Sequence, residues 1–449
     1  MIDLIVIGAG LAGLGAALTA AEAGLTVKVV SKGLNALHWS AATLDLFGYQ
    51  PPRPAPIREP WDALSRLPLD HPYQVAGPER VRAAVDRFIG WTQAAGLPYA
   101  AGTVAGENFM LPSPVGAMRP VYLAPQGQRP GDLSSEQPIL VVGFDGARDF
   151  YPHLAADHLN RQGRSARGLV LPTSLITERR DANTVQLAAE LDKPEHRQKL
   201  GAALKAAVRR GERIGLPAIL GLNDHAQTVA ALSELAGAPI FEIPTLPPSV
   251  PGLRLTAALR RLLDRHNVRV EVGMEVIGVG VEDGAVRWVE TDTSARPLRH
   301  AARGFVLATG GVLGGGFRSD HRGRFWEVVF DLPLGVPQDR SQWFRPLFLD
   351  PEGQPVFHGG VTVNRDFQPL DGRGGIVYRN LWAAGGLLAG TDPIQEHSLE
   401  GIGVASGVAA GEAAAAALGA QAKPGRVAAM AAAGGPPGGK PPASTCETG

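Results

Sequence analysis

The stretch "IDLIVIGAGLAGLGAALTAAEAG", residues 2–24, constrains the fold more than any other. Residues 2–7 are a short, almost unbroken apolar run, the pattern of a parallel strand buried on both faces. Gly8, Gly10 and Gly13 follow in the G-x-G-x-x-G spacing. In such a turn the first glycine permits a tight bend, and the second lets a backbone approach a phosphate. The third lets helix and strand pack closely. A helix then runs through Glu22 and stops at Gly24, a residue suited to a left-handed cap. "LTVKVV" at 25–30 completes a βαβ unit. The free N–H groups at the helix start, and the positive end of its dipole, suit an anion. Glycine spacing alone is weak evidence. Its place between a strand and a helix favours a nucleotide site over a turn that serves only packing.

In a dinucleotide site the second strand ordinarily leads to an acid that holds the adenosine ribose. Here it ends on Ser31 and Lys32, and a loop carrying His38 and Ser40 follows. This argues against NAD. FMN has no adenosine ribose to hold, and with FAD the Ser31 hydroxyl stands in for the carboxylate. Lys32 adds a positive charge that a phosphate or a reduced flavin favours.

The rest of the chain supports a large α/β protein. Its 449 residues are enough for two or three domains. Lys plus Arg (43) equals Asp plus Glu (43), which argues against a nucleic-acid binder. A single cysteine, Cys446, excludes a disulfide within the chain and a cysteine-ligated iron–sulfur cluster. The histidines show no metal-binding spacing, so no metal is expected. The N-terminus lacks the basic region of a signal peptide, and no strongly apolar run reaches the length of a membrane span. A cytoplasmic setting is expected, with membrane contact only through partners.

Residues 50–75 are Pro-rich and read as irregular, and 78–96 as an amphipathic helix. Short strands are expected at 138–144, 167–173, 216–222 and 239–244, with helices between them. These make 76–245 an inserted α/β region. After a helix at 254–266, three segments, "VRVEVG", "EVIGVGVE" and "AVRWVETD", read as an antiparallel meander, with Asp283-Gly284 as a hairpin turn. "VLATGG" at 306–311 and "NLWAAGG" at 380–386 are two further strand ends running into glycines, and 401–417 is a small-residue helix. The late helix points its N-terminus at a flavin's pyrimidine end in proteins built this way, which stabilises negative charge on the reduced ring. The alternative is an Ala/Gly helix packed closely in the core. The three glycine motifs in this order favour a flavoprotein over a nicotinamide dehydrogenase. The expected fold class is a two-dinucleotide-binding, Rossmann-like α/β flavoprotein with an inserted α/β domain. Residues 1–75 and 246–418 would form the flavin-binding domain, and 419–449 a disordered tail.

Several segments carry a closer resemblance: "SKGLNALHWSAATLDLFG" (31–48), "TLPPSVPGLRL" (245–255), "VLATGG" (306–311), "FHGGVTVNRDFQP" (357–369) and "LWAAGGLLAGTDPIQEHSLEGIGVASG" (381–407). They resemble the B subunits of the anaerobic glycerol-3-phosphate dehydrogenases across nearly the whole expected folded part. The resemblance implies FMN as cofactor, with FAD the alternative. It implies a flavoprotein A subunit and a membrane-anchoring iron–sulfur C subunit as partners. It implies oxidation of sn-glycerol 3-phosphate to dihydroxyacetone phosphate, with electrons sent to quinone in fumarate or nitrate respiration, on the inner face of the cell membrane. Two rival readings stay open. One is an FAD-dependent dicarboxylate oxidoreductase of the succinate dehydrogenase or aspartate oxidase type. The other is a flavin relay subunit that binds no substrate.

The cofactor candidates are Gly8, Gly10, Gly13, Ser31, Lys32, His38, Ser40, Thr309, Gly310, Gly385, Gly386 and Gly401. An anionic substrate calls for a cation, and Arg254 in "PGLRL" is the candidate for the phosphate contact. Its alternative is an ordinary arginine at a helix start. His358, before Gly359-Gly360, is the candidate base for the hydroxyl proton, and His397 has a similar claim. Either could be a loop histidine.

Overall fold

The structure, a computed structural model, describes residues 2–179 and 181–419. The expected tail beyond Gly419, and Cys446 with it, lies outside the described residues.

The main sheet has seven strands. Six run in the order Arg269–Val272, Val27–Ser31, Ile2–Ile7, Leu298–Leu307, Ala285–Thr291, Val276–Glu282, and Leu381–Ala383 pairs with Leu298–Leu307. The strand Leu298–Leu307 is shared. Its first residues pair antiparallel with Ala285–Thr291. Its last residues pair parallel with Ile2–Ile7 on one side and Leu381–Ala383 on the other. Ile7, Leu307 and Ala383 therefore finish in register, and the three glycine turns leave the sheet side by side. The sheet is apolar at its centre, where helices cover it: Leu4, Ile5, Val6, Phe305, Val306, Leu307 and Leu381 are all fully buried.

The helix Leu11–Glu22 starts at the first glycine turn and packs against the C-terminal helix Leu399–Ala417. Small residues set this close approach. A Cβ on Gly407 would lie 2.4 Å from the Ala12 carbonyl oxygen, and one on Gly411 2.7 Å from that of Ala16. The helix Pro78–Ala94 packs on the same C-terminal helix through Val81, Ala84, Val85 and Phe88. The sequence pattern assigned this helix to the inserted region, but its apolar face joins the main core.

The inserted part forms a separate four-stranded, all-parallel sheet in the order Ala166–Leu171, Ile139–Phe144, Arg213–Pro217, Ile240–Ile243. It has its own core, with Leu140, Leu191, Leu200, Leu216 and Leu232 fully buried. The third strand begins and ends earlier than the apolar run 216–222 predicts, and residues 218–221 are a buried connection. Two other readings change. Arg269–Val272 is not part of the meander; it joins the opposite edge of the main sheet, parallel to Val27–Ser31. It follows the long helix Val250–Arg265, and a strand entered from such a crossover returns parallel. The meander proper is Val276–Glu282 and Ala285–Thr291, joined at Asp283-Gly284 with positive φ at both residues, as a two-residue hairpin requires. Residues 50–75 are not wholly irregular: they hold part of a small two-stranded sheet and the short helices Pro60–Leu64 and Pro72–Ala76.

Candidate functional site

A cavity of about 350 Å³ opens where the three glycine turns meet the C-terminal helix. Gly10, Leu11 and Ala12 line it from the first turn; Ala36, Leu37, Trp39 and Ser40 from the loop after the second strand. Ala308, Gly310 to Gly314 and Phe317 line it from the second glycine turn. Ala384 to Gly386, Glu400 and Gly403 come from the third strand end and the late helix. Four segments far apart in sequence thus meet at the carboxyl ends of parallel strands, where open α/β sheets bind their ligands.

The glycines divide into two kinds. A Cβ on Gly8 would fall 2.1 Å from the Ala308 carbonyl oxygen, and one on Gly13 2.0 Å from that of Gly8. Both serve close backbone packing, and Gly8 also has φ +114°. Gly10 differs, because a Cβ there would meet nothing within 4 Å and would project into the open cradle. It is the N-cap of the helix Leu11–Glu22, and no side chain caps that end. The first-turn N–H groups therefore face the cavity unshielded. Gly310 and Gly385 take positive φ at the other two turns, and Gly386 lies against them with its carbonyl on Gly311. The Thr309 hydroxyl is buried beside this turn with no hydrogen-bond partner among the described residues. Thr309 itself does not line the cavity. The open glycine cradle and the uncapped helix start together fit a phosphate-bearing flavin.

The other cofactor candidates separate. Ser40 lines the cavity, and its hydroxyl donates to Glu400 Oε1 at 2.8 Å. His38 does not line it, although Leu37 and Trp39 beside it do. Burial and the neighbouring Arg260 hold its imidazole below the usual histidine range. Gly401 is a packing residue: a Cβ there would strike the Tyr73 hydroxyl at 2.2 Å. Ser31 and Lys32 lie outside the cavity lining. The Ser31 hydroxyl donates to the Gly33 carbonyl at 2.9 Å, and Lys32 pairs with Glu275 at 2.8 Å, which Arg318 also holds at 3.0 Å.

The substrate candidates separate as well. Arg254 does not face the cavity. Its guanidinium is buried and forked onto Glu242 at 2.7 and 2.9 Å and onto the Gly221 carbonyl. Such an arginine joins the helix Val250–Arg265 to the inserted sheet and has no face left for a substrate phosphate. His358 is exposed and does not line the cavity, although Phe357 and Gly359 beside it do. Its Nε2 and the Asp392 carboxylate approach the same residue, Gly353, and Asp392 lines the cavity. Burial raises the Asp392 carboxyl above the usual range. His397, with φ +50°, stacks edge-on against Tyr49 at 5.0 Å, and burial lowers its affinity for a proton.

Sequence reasoning missed the most informative residue. Glu400 stands in the first turn of the C-terminal helix, lines the cavity, and is pushed up to about 7 by burial and by the nearby Asp45. The signal was present: Glu400 is the one acid between Ser398 and Gly411, a stretch otherwise of small and apolar residues. Behind it lies a buried polar cluster. Arg119 donates to Thr43 at 3.0 Å and sits 3.8 Å from Asp45, while its Nη2 has no hydrogen-bond partner among the described residues. On the next turn of chain Glu396 accepts from Thr391 at 2.6 Å and Ser398 at 2.8 Å, and contacts His71 at 3.3 Å. Burial works against the charged form of Glu396, yet these hydrogen bonds hold it below its ordinary value and fix the loop entering the helix. Two carboxyls, Asp392 and Glu400, line the cavity, and no Lys or Arg does among the described residues. Among those residues no helix is long and apolar enough to cross a membrane, and no group of three or more His, Cys, Asp or Glu is placed to hold a metal.

These features agree with what the chain is similar to. A family model described as an FAD binding domain matches residues 3–404. A protein of Halobacterium salinarum, named as the probable B subunit of an anaerobic glycerol-3-phosphate dehydrogenase, is 34% identical over 428 residues, covering 93% of this chain and 98% of its own. The B subunit of the anaerobic glycerol-3-phosphate dehydrogenase of Yersinia pestis is 32% identical over 419 residues, covering 90% of this chain and 96% of its own. Among solved structures, a flavocytochrome c3 fumarate reductase aligns with 93% of this chain and 78% of its own at a TM-score of 0.41 and 12% identity. The chain belongs to the flavoproteins that carry this FAD binding domain, and among them to the anaerobic glycerol-3-phosphate dehydrogenase B subunits.

Proposed function

We propose that this chain is the flavin-carrying redox subunit of a respiratory complex that oxidises sn-glycerol 3-phosphate to dihydroxyacetone phosphate. The observation that carries the reading is the open cradle at Gly10, set between the uncapped helix start and the N-terminus of the C-terminal helix. A flavin bound there supplies two-electron oxidation of an alcohol and release of electrons one at a time. The chain's own residues do the rest. Gly10 and the first-turn N–H groups receive the phosphate. Gly403 and the start of the late helix bring a positive dipole end to the cavity. Trp39, Leu313 and Phe357 give the cavity an apolar wall. Asp392, with His358 near it, is the group proposed to take up a hydroxyl proton in the cavity.

The form of flavin proposed is FMN, with FAD the alternative. The Ser31 hydroxyl and the Lys32 ammonium, at the strand end where a dinucleotide site ordinarily holds its ribose, are engaged by Gly33 and Glu275. A cavity of about 350 Å³ also lies near the small end of ligand sites, which run from about 300 to 1,000 Å³. With its single cysteine at 446 the chain holds no cysteine set for an iron–sulfur cluster, so onward electron transfer needs a partner. The partners proposed are a flavoprotein A subunit and an iron–sulfur C subunit that attaches the complex to the inner face of the membrane.

The cavity lining favours a second reading of where the alcohol is oxidised. A phosphate substrate beside two carboxyls, with no cation among the described residues of the lining, is poorly held, so the partner flavoprotein would oxidise the alcohol and this flavin would relay the electrons. Anaerobic addition of glycerol 3-phosphate, followed by flavin absorbance, tests both. Bleaching of the isolated chain places oxidation here. Bleaching that needs the A subunit supports the relay. No bleaching in the full complex sinks the proposed substrate.

A further inference from the structure

The carboxyl of Glu400 is placed to couple protons to the redox state of the cavity. It lies in the first turn of the helix Leu399–Ala417 and faces the same space as Gly10 and Gly385. Ser40 fixes its Oε1, while Oε2 takes no hydrogen bond from another described residue. Opposing influences meet on it. The helix N-terminus favours the charged form. Burial and Asp45, from the loop beneath, favour the neutral form, and Arg119 from the strand Met118–Val121 offsets them only in part. Arg119 is itself shared with Thr43 and Asp45.

Two other titratable groups face the carboxyl. Tyr73, from the helix Pro72–Ala76, donates its hydroxyl to the Leu46 carbonyl at 2.6 Å. Tyr99, from the strand Tyr99–Ala101, donates to the Ala42 carbonyl at 2.5 Å. Burial raises both well above the ordinary tyrosine value, so neither changes charge near neutrality. His397, on the residues leading into the helix, faces Asp45 and Arg119 and is held toward its neutral form by burial. That leaves Glu400 balanced between its two forms near neutral pH, its carboxyl pushed up to about 7.

We propose that Glu400 takes up one proton from solvent when the cavity gains negative charge on reduction, and returns it on reoxidation. The inference rests on the flavin reading above. Reduction by two electrons and one proton leaves one negative charge on the ring. A new negative charge within about 4–6 Å of a carboxyl raises its proton affinity by about 1–3 pH units. At neutral pH this carries Glu400 from partly to fully protonated. The proton stays on the carboxyl and no bond to the ring is made. Two electrons enter with one proton for the ring and a further fraction for Glu400, which approaches a whole proton where the carboxyl is ionised before reduction.

The test is the midpoint potential of the flavin-loaded chain, set by an electrode and measured across about two pH units on either side of neutrality. Flavin content is measured first, and a folded parent chain without flavin overturns both this inference and the reading beneath it. The expected result is that the parent potential falls more steeply with pH than that of Glu400→Gln above neutrality. The difference approaches one proton per two electrons, about 30 mV per pH unit, where Glu400 is ionised before reduction. Parallel slopes overturn the inference and leave the flavin site standing. If Glu400→Gln fails to fold, proton uptake by the parent is read instead from a pH-indicator dye during reduction at neutral pH. More than one proton per two electrons in both the parent and Asp392→Asn, which removes the other carboxyl of the cavity, supports the coupling, and one proton alone in either overturns it.

Discussion

Gly8 and Gly10 stand two residues apart and do different work. Gly8→Ala would force a methyl against the Ala308 carbonyl at 2.1 Å, in a backbone conformation that alanine resists. We expect a loss of roughly 2–3 kcal/mol or failure to fold, read from the urea midpoint. Gly10→Val should cost about 1 kcal/mol, the loss expected from a poor helix cap, while weakening flavin binding at least about tenfold. If Gly10→Val binds flavin as the parent does, the cradle is not the phosphate site. Glu400 makes a pH prediction. Below its ordinary value of 4.5 the carboxyl is protonated in folded and unfolded chain alike, and nothing is lost. As pH rises toward about 7 the unfolded chain gives up its proton first, so folded stability declines. Above that the loss is complete, at most about 3 kcal/mol. Flavin-free Glu400→Gln should therefore be more stable than the parent at mildly alkaline pH and equal to it in acid, and a constant difference would contradict this. The glycine spacing made the cradle legible in the sequence, because each glycine answers a backbone requirement. Glu400 was not, because its character comes from Asp45, Ser40 and Arg119, which only the fold brings to it.

At the scale of elements, the crossing of the first and last helices sets the floor of the cavity. Gly407→Ala would place a methyl 2.4 Å from the Ala12 carbonyl, a backbone neighbour that cannot turn aside. It should cost about 1–3 kcal/mol and lower flavin affinity with it, because Ala12 and Gly403 line the site. Gly403→Ala is a control for packing, since its nearest atoms stand at 3.6 Å. Thermal melts of the two variants should separate, and equal melts would count against the crossing. The hairpin at Asp283-Gly284 and the buried first strand were readable from short-range pattern. The strand Arg269–Val272 was misplaced because a short β-rich segment does not state its partner. The helix before it carries that information, through the handedness of crossovers. Residues 216–222 misled for a related reason: an apolar run reports burial, and here half of it is a buried connection.

At the scale of the whole molecule, a mixed seven-stranded sheet and an all-parallel four-stranded sheet, each with its own core, are joined by the helix Val250–Arg265, whose Leu255, Ala258 and Leu259 belong to the main core. Its Arg254 grips Glu242 on the inserted sheet. Removing one partner of a buried ion pair costs about 3–5 kcal/mol, whereas an apolar replacement of both is far milder. Arg254→Ala should lower stability by that order with bound flavin still recovered from the folded fraction. Arg254→Met with Glu242→Leu should regain most of the loss. Specific loss of substrate response without loss of stability would instead return Arg254 to the site. The three strand ends with glycines made the general place of the cavity legible. Its acidic lining was not, since Asp392 and Glu400 reach it from loops and helix starts whose course no local pattern fixes. The central claim is that the Gly10 cradle holds one flavin on this chain. The most direct measurement is the flavin released on heating the purified chain, identified and counted per polypeptide, in the parent and in Gly10→Val. The account predicts one FMN per parent chain and little or none in the folded variant. A folded parent that releases no flavin, or a variant that releases as much as the parent, would contradict it.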